Sequence, residues 1–181
     1  QMLFNNKVKQ DTFVESNCIN VVIEHMTKYP YEFEIQQYGN FVLGSLLSNN
    51  SNSNSNIDIS TIFDTVLKNM KMEEFRENEE LQKYGLYVFS NMEKGMIKSI
   101  KEVTKIVKRN MKKFEYNVHI QRYGLNILMN LDINIGCYKD LITDTMNRLA
   151  DDNEIQATGE FILDRLNKKR KSVECRIPTV M

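Results

Sequence analysis

A chain of 181 residues, 41% of them hydrophobic and 27% charged, is long enough to bury a core and too apolar to be wholly disordered. Its 24 lysines and arginines balance 24 aspartates and glutamates, so no overall positive field favours nucleic acid. No apolar run approaches the roughly 20 residues that span a bilayer, so we predict a folded protein with neither a nucleic-acid partner nor a transmembrane segment.

The start of the chain and its cysteines bear on where the protein resides. Residues 1–15 lack the long apolar stretch and the small-residue cleavage site of a secretory signal, and we interpret them as an N-terminal extension or a capping helix. One interpretation of a chain that does not begin with Met is that it is a piece of a larger protein. Cys18, Cys137 and Cys175 lack paired or metal-ligand spacing, which is typical of a reducing compartment. We predict a cytoplasmic protein, with the nucleus as the alternative.

One short string recurs four times. It consists of an apolar residue, a Gln directly after it, and a Gly three residues after the Gln. The copies are Ile35 to Gly39, Leu81 to Gly85, Ile120 to Gly124 and Ile155 to Gly159. Their glycines are separated by 46, 39 and 35 residues, a range that suits repeats of two or three helices. The longest spacing contains an Asn- and Ser-rich tract at 49–56, which we interpret as an insertion because it cannot bury apolar surface.

Each repeat combines two amphipathic stretches, with apolar residues every three or four positions, and each pair predicts a helical hairpin. The first helices are expected around Ile19–Met26, Ile62–Met70, Ile100–Met111 and Leu141–Leu149, and the second helices begin at the four strings. We predict a repeat domain over 16–171, with repeats at about 16–48, 57–94, 96–132 and 136–171, and a C-terminal tail at 172–181.

The recurrent glycines and glutamines predict specific contacts within this arrangement. Gly inside a helix costs about 1 kcal/mol relative to Ala, so its recurrence at one helical position indicates a close approach of the first helix of the same or the next repeat. We expect the four glutamines to bond the turn of each hairpin. We interpret Tyr38, Tyr84 and Tyr123, which precede three of the glycines, as core residues with their hydroxyls at the edge.

The second helix of the third repeat has the pattern Ile-Gln-x-x-Gly-x-x-x-Leu-x-Asn-Leu, carried by Ile120, Gln121, Gly124, Leu128, Asn130 and Leu131. This pattern resembles the closing helix of an armadillo repeat. Armadillo repeats have a small residue at the place of the Gly and an Asn before the last Leu. The resemblance covers roughly residues 16–170 and implies an all-α fold, a right-handed superhelical solenoid of about four armadillo-like repeats. HEAT repeats are the near alternative.

In armadillo proteins the second long helix lines a concave groove, where Asn side chains hold the backbone of an extended peptide and aromatic rings flank its side chains. The resemblance places the Asn ladder on Ser45, Asn91, Asn130 and Arg165, and the aromatic ladder on Phe41, Tyr87, Asn126 and Phe161. An amide offers a peptide both a donor and an acceptor, and an exposed ring offers apolar contact. The alternative is that these rings pack the core and the amides bond neighbouring backbone. Because the chain has no Trp, we do not expect a basic nuclear-localisation peptide as its ligand.

We find no pattern typical of a catalytic, cofactor-binding or metal site. The only histidines, His25 and His119, are far apart in sequence, whereas a metal site needs them clustered with Cys or carboxylates. There is no glycine-rich phosphate loop and no nucleophile elbow. We therefore predict no enzyme activity, no cofactor and no metal.

A basic cluster closes the fourth repeat, and two interpretations of it stay open. Its members are Lys168, Lys169, Arg170 and Lys171. Positive charge suits the C-terminal end of a helix, where it meets the negative end of the helix dipole. The same residues could instead form a nuclear-localisation signal or a patch for acidic lipids.

Two functions follow from these sequence features. The first is a non-catalytic scaffold or adaptor that binds a segment of a partner protein in the concave groove. The second is a regulatory helical region of a larger signalling or trafficking protein, which mediates intramolecular docking or self-association. An isolated array needs polar outer faces on its terminal repeats, so the apolar run Phe161–Leu163 in the fourth repeat favours a covering by the tail or by another domain.

Overall fold

The computed structural model describes residues 18–49, 58–131 and 135–174. The predicted N-terminal extension at 1–15, the Asn- and Ser-rich tract beyond Asn49 and the tail beyond Glu174 lie outside these residues.

The described residues form eight α-helices and contain no strand, which confirms the all-α prediction. The helices are α1 Cys18–Lys28, α2 Phe33–Asn49, α3 Ile59–Lys71, α4 Glu79–Ser90, α5 Ile100–Lys113, α6 Val118–Asn130, α7 Lys139–Arg148 and α8 Asn153–Glu174. Three 3-10 turns precede α4, α5 and α7, at Glu73–Phe75, Lys94–Met96 and Ile135–Tyr138. The last helix continues past residue 172, where the sequence predicts the tail to begin.

The chain divides into two compact units, an N-terminal unit Gln1–Val107 and a C-terminal unit Lys108–Met181, and the boundary falls within α5. In the N-terminal unit α1 packs on α2, α3 packs on α4, and α2 lies against α4. In the C-terminal unit α6 and α7 both pack on α8. The second helices of the predicted repeats are α2, α4, α6 and α8.

Each unit has an apolar interior built from the predicted helical periodicity. In the N-terminal unit Ile62 and Leu81 are fully buried, and the Phe63 and Phe89 ring centroids are 5.6 Å apart. In the C-terminal unit the buried apolar residues include Ile120, Leu128, Ile142, Ile155 and Ile162. Burial of each such side chain contributes about 1.5–3 kcal/mol to folding.

Three of the second helices begin at a capping residue that lies seven positions before the recurrent glycine. Asn78, Asn117 and Asp152 precede α4, α6 and α8, and a side-chain oxygen of each accepts a hydrogen bond at 3.0 Å from the backbone N–H three residues further along. Such caps satisfy one of the donors that a helix start leaves unpaired, and each is worth about 1 kcal/mol. The cap and the glycine therefore keep the same spacing in these three hairpins.

The four recurrent glycines all face a methionine of the first helix in the same hairpin, and we call each such contact a clasp. A Cβ atom added at the glycine would lie only 2.4 to 2.6 Å from the methionine sulfur, so that a side chain there would displace the methionine. The clasps join Gly39 to Met26, Gly85 to Met70, Gly124 to Met111 and Gly159 to Met146. The predicted close approach is confirmed, and the approaching helix is the one in the same hairpin.

The four glutamines lock the same hairpins. The Nε2 atom of each donates to the backbone carbonyl of the clasp methionine and to a carbonyl of the turn, at 2.8 to 3.4 Å. The turn carbonyls belong to Tyr29, Phe75, Phe114 and Leu149. The methionine carbonyls lie in the last turn of the first helix, where intrahelical partners are missing, and each turn carbonyl also accepts the backbone N–H three residues further along. The bonds confirm the predicted role of the glutamines.

Two of these glutamines also tie one hairpin to the next inside a unit. In the N-terminal unit Gln36 Oε1 accepts a hydrogen bond from Asn69 Nδ2 at 2.5 Å. In the C-terminal unit Gln121 Oε1 accepts from Thr145 Oγ1 at 3.0 Å. All four side chains are buried, so removing one partner would leave the other without a hydrogen bond in the interior.

The tyrosines that precede the glycines differ from the expectation that they are core residues. Tyr38 is 59% exposed, and that prediction is wrong. Tyr84 and Tyr123 are half-buried. The reason is helical geometry. Consecutive residues of a helix project about 100° apart, so when the glycine faces the first helix, the tyrosine before it points to one side of that contact.

Candidate functional site

The eight residues predicted to line a groove lie on the four second helices, two and six positions after the recurrent glycines. Phe41, Ser45, Tyr87 and Asn91 belong to α2 and α4 of the N-terminal unit, and Asn126, Asn130, Phe161 and Arg165 to α6 and α8 of the C-terminal unit. We call the first set the α2–α4 face and the second set the α6–α8 face.

A close contact between Tyr87 and Gly44 holds the α2–α4 face together. A Cβ atom added at Gly44 would lie 2.4 Å from Tyr87 Cδ1, so the ring rests on α2 where a side chain is missing. The Tyr87 hydroxyl donates to Ser48 Oγ at 3.3 Å. Sequence reasoning missed Gly44, although a second glycine five residues after Gly39 was an available signal for another close approach.

Two further rings pack together on the same face. The rings of Phe41 and Tyr84 meet edge to face with centroids 5.2 Å apart, a favoured geometry for aromatic pairs. Lys83 Nζ lies 4.5 Å from the Tyr84 ring centroid and also pairs with Glu80 at 2.6 Å. Both rings are half-buried, so each combines packing with a surface that a partner could contact.

The polar members of the α2–α4 face are engaged with backbone. Ser45 is only 6% exposed, and its hydroxyl donates to the Phe41 carbonyl at 2.9 Å, so it is not available to a partner. Asn91 ends α4, and its Nδ2 donates to the Tyr87 carbonyl at 2.9 Å and to the Gly44 carbonyl at 3.5 Å. Asn91 thus links α4 to α2, as in the alternative interpretation of the Asn ladder.

Arg165 makes the corresponding link in the C-terminal unit. Its Nη1 donates to the Met129 carbonyl at 3.0 Å, and Met129 lies in the last turn of α6, where helix carbonyls lack intrahelical partners. Asn91 and Arg165 occupy the same position after their glycines, and each donates to the preceding second helix of its unit. The polar ladder therefore fixes the spacing between second helices.

An exposed ring marks the α6–α8 face. Phe161 is 53% exposed, and the guanidinium carbon of Arg165 lies 5.9 Å from its ring centroid, within the range of a cation–π contact. Asn126 is half-buried and Asn130 is exposed. Of the run Phe161–Leu163, only Phe161 is left uncovered, because Ile162 is fully buried and Leu163 is half-buried.

An ion pair that sequence reasoning missed orders the start of α8. Nη2 of Arg122 approaches Asp152 Oδ2 at 2.7 Å, its Nε contacts both Asp152 oxygens at 3.2 Å, and its Nη1 reaches Glu154 at 2.9 Å. The hydrogen bonds from Arg122 hold the pKa of Asp152 below its usual value. Asp152 also caps α8 through Ile155, so one carboxylate both starts the helix and ties it to α6.

The remaining candidate groups of the sequence lie apart from these faces. His25 and His119 are exposed, and His25 Nδ1 bonds with the Val21 carbonyl at 2.9 Å. Within residues 18–49, 58–131 and 135–174, no three His, Cys, Asp or Glu side chains gather in a group suited to a metal.

Of the basic cluster, Lys168 is exposed and pairs with Asp164 at 2.6 Å. The side chains of Lys169, Arg170 and Lys171 lie outside the described part of the chain. No described helix combines the length and the apolar character needed to cross a membrane.

Comparison of the chain with protein-family models, with curated proteins and with solved structures gives no match.

Proposed function

We propose that this protein is a non-catalytic scaffold or adaptor that binds an extended segment of a partner protein along its second helices. The proposed architecture is a right-handed solenoid of about four armadillo-like repeats, with the second helices on the inner side. The protein is proposed to act in the cytoplasm, with the nucleus as the alternative. Its partner is a protein or peptide segment.

The recurrence of one hairpin design supports the repeat part of this proposal. All four helix pairs carry the methionine–glycine clasp and the glutamine lock. One link between second helices also recurs in both units. In each, the sixth residue after the glycine donates a hydrogen bond to the preceding second helix. Similar units that stack side by side bury a continuous core that no single hairpin can cover.

The observation that carries the binding part is the exposure of Phe161. A phenyl ring left about half in water on an otherwise polar face forgoes part of the 1.5–3 kcal/mol or so that full burial provides. A partner that covers the ring gains this free energy, and aromatic anchors of this kind dominate many protein interfaces. Asn126 and Asn130, which lie on the same face, can bond the backbone of an extended segment.

A display library of random linear peptides, panned against the full chain, provides the test. The affinity of each selected peptide is then measured for the wild type and for Phe161→Ser by isothermal titration calorimetry. We expect the substitution to weaken binding about tenfold or more, since it removes the apolar anchor.

Tyr116→Ser provides the matched control, because Tyr116 is an aromatic residue of the same unit that is 71% exposed and lies in the turn between α5 and α6. Peptides that bind both variants as tightly as the wild type would contradict the proposed surface. Failure to select any peptide on the folded chain would contradict the proposal as a whole.

A second function, docking to another domain or to a second copy, is favoured by a different observation. Val21 on α1 is 49% exposed and Tyr38 on α2 is 59% exposed, so the first hairpin presents apolar surface that a covering domain would bury. Docking to a second copy and the adaptor function differ in the mass that the purified chain shows in solution.

A further inference from the structure

The four clasps place a thioether sulfur against a glycine of the neighbouring helix in each hairpin. In every clasp the sulfur and Cγ of the methionine are the two atoms nearest to the position of a Cβ on the glycine. The fit depends on an apolar, flexible side chain that lies flat on the glycine. Any chemical change that enlarges or polarises the sulfur acts directly on the helix contact.

The four sulfurs differ in how accessible their residues are. Met26 is 2% exposed, and Met70 and Met111 are 0% exposed. Met146, which belongs to the hairpin of α7 and α8, is half-buried. Met146 is therefore the clasp methionine most exposed to a small oxidant in the folded protein, whereas the other three need at least local unfolding first.

We infer that Met146 is an oxidation-sensitive clasp, at which hydrogen peroxide converts the thioether to a sulfoxide and loosens α8 from α7. In this step one peroxide oxygen forms the S–O bond while the O–O bond breaks, the sulfur is oxidised, and the peroxide is reduced to water. The sulfoxide is larger and polar at the atom that rests on Gly159, and a polar group in an apolar contact needs a hydrogen-bond partner or water. Methionine sulfoxide reductases reverse the change, so the device can be reset.

The neighbouring bonds extend the effect along the hairpin. The Met146 carbonyl accepts the glutamine lock from Gln156 at 2.9 Å, and the adjacent Thr145 bonds Gln121 of α6. Displacement of Met146 therefore acts on the hairpin lock and on the tie to the preceding hairpin together. Under the proposed function, the same loosening would also move Phe161, two residues after Gly159, but oxidation of the clasp can be tested independently of that function.

The test uses the full chain treated with hydrogen peroxide. Peptide mapping by mass spectrometry measures the oxidation rate of each clasp methionine, and hydrogen exchange measures the protection of 139–168. We expect Met146 to oxidise in the native protein while Met26, Met70 and Met111 stay reduced, and protection of α7 and α8 to fall on the order of tenfold. Treatment with both sulfoxide reductases should restore the protection.

Two conservative variants sharpen the result. Met146→Leu keeps an apolar side chain of similar volume and should abolish the effect of peroxide on α7 and α8. Met129→Leu removes another half-buried methionine of the same unit, outside the clasps, and should respond like the wild type. Equal oxidation of all four clasp methionines, unchanged exchange after oxidation of Met146, or a full response in Met146→Leu would each overturn the inference.

Discussion

At the residue scale, glycine and glutamine recur because each makes one specific contact within the hairpin. The glycine has no side chain where the methionine lies, and the glutamine donates to two carbonyls, one at the end of the first helix and one in the turn. Asn40, next to Gly39, makes no such contact. It is fully buried, and neither amide atom has a hydrogen-bond partner among the described residues.

Gly85→Ala should destabilise the protein although Ala favours helices. The added Cβ would lie 2.5 Å from the Met70 sulfur and 2.7 Å from its Cγ, and overpacking of this kind costs about 1–3 kcal/mol. Urea unfolding followed by circular dichroism measures the change. Gly95→Ala is the control, since a Cβ there meets nothing within 4 Å; equal stability of the two variants would show that the clasp is not tight.

Asn40→Leu should stabilise the protein, because it replaces an unpaired buried amide by an apolar side chain. Leu86 and Leu125 occupy the corresponding place after their glycines, and both are fully buried. We expect a gain of about 1–2 kcal/mol, measured as a higher urea midpoint. One turn earlier on α2, Gln36→Leu should have the opposite effect, because it removes the hydrogen bonds to the Met26 and Tyr29 carbonyls and takes the acceptor from the buried amide of Asn69. A loss of stability in Asn40→Leu would indicate that the amide is satisfied.

At the element scale, the ends of the helices decide how neighbouring helices meet. Side-chain caps start α4, α6 and α8 at the same distance before the glycine. At α8 the cap is charged and is held by Arg122 of α6, so the start of one helix is tied to the side of another.

The stability of the protein should depend on the charge of Asp152 in acid. Because Arg122 lowers the pKa of Asp152 in the folded state, this stabilisation is fully present above the unfolded-state pKa of about 3.9 and is lost as the pH falls through the lower folded-state pKa. Asp152→Asn keeps a good cap but removes the ion pair. Urea unfolding between about pH 6 and about pH 2 should therefore show a smaller acid loss in Asp152→Asn than in the wild type. Identical pH profiles would contradict this role of the ion pair.

At the scale of the whole molecule, the charges of the chain balance, and the large exposed hydrophobic residues in the described part of the chain include Val21, Tyr38 and Phe161. Under the adaptor function, we expect the purified chain to be a monomer of 21.3 kDa in multi-angle light scattering. If the chain instead docks to a second copy, it associates, and Val21→Ser with Tyr38→Ser should restore the monomer mass. A dimer that persists in this double variant would place the association elsewhere.

Local sequence was enough to predict the helices, their pairing into hairpins and the contacts inside each hairpin. The clasp and the lock join residues only seven to fifteen positions apart, so a repeated string with the right spacing specifies them through local helix geometry. For the same reason the glutamine bonds could be predicted before any coordinates. The predicted burial of Tyr38 was wrong because hydrophobic periodicity identifies the apolar stripe of a helix but defines the edges of that stripe poorly.

The way successive second helices meet within a unit depends on tertiary packing and could not be predicted. Tyr87 rests on Gly44, Asn91 bonds the carbonyl of a residue 47 positions away, and Arg165 bonds one 36 positions away. Such contacts depend on the angle and spacing at which packed helices settle, and these follow from the fit of many side chains at once. The ladder residues could be located from the sequence, but whether each one faces a partner, the core or a neighbouring helix is set by that packing.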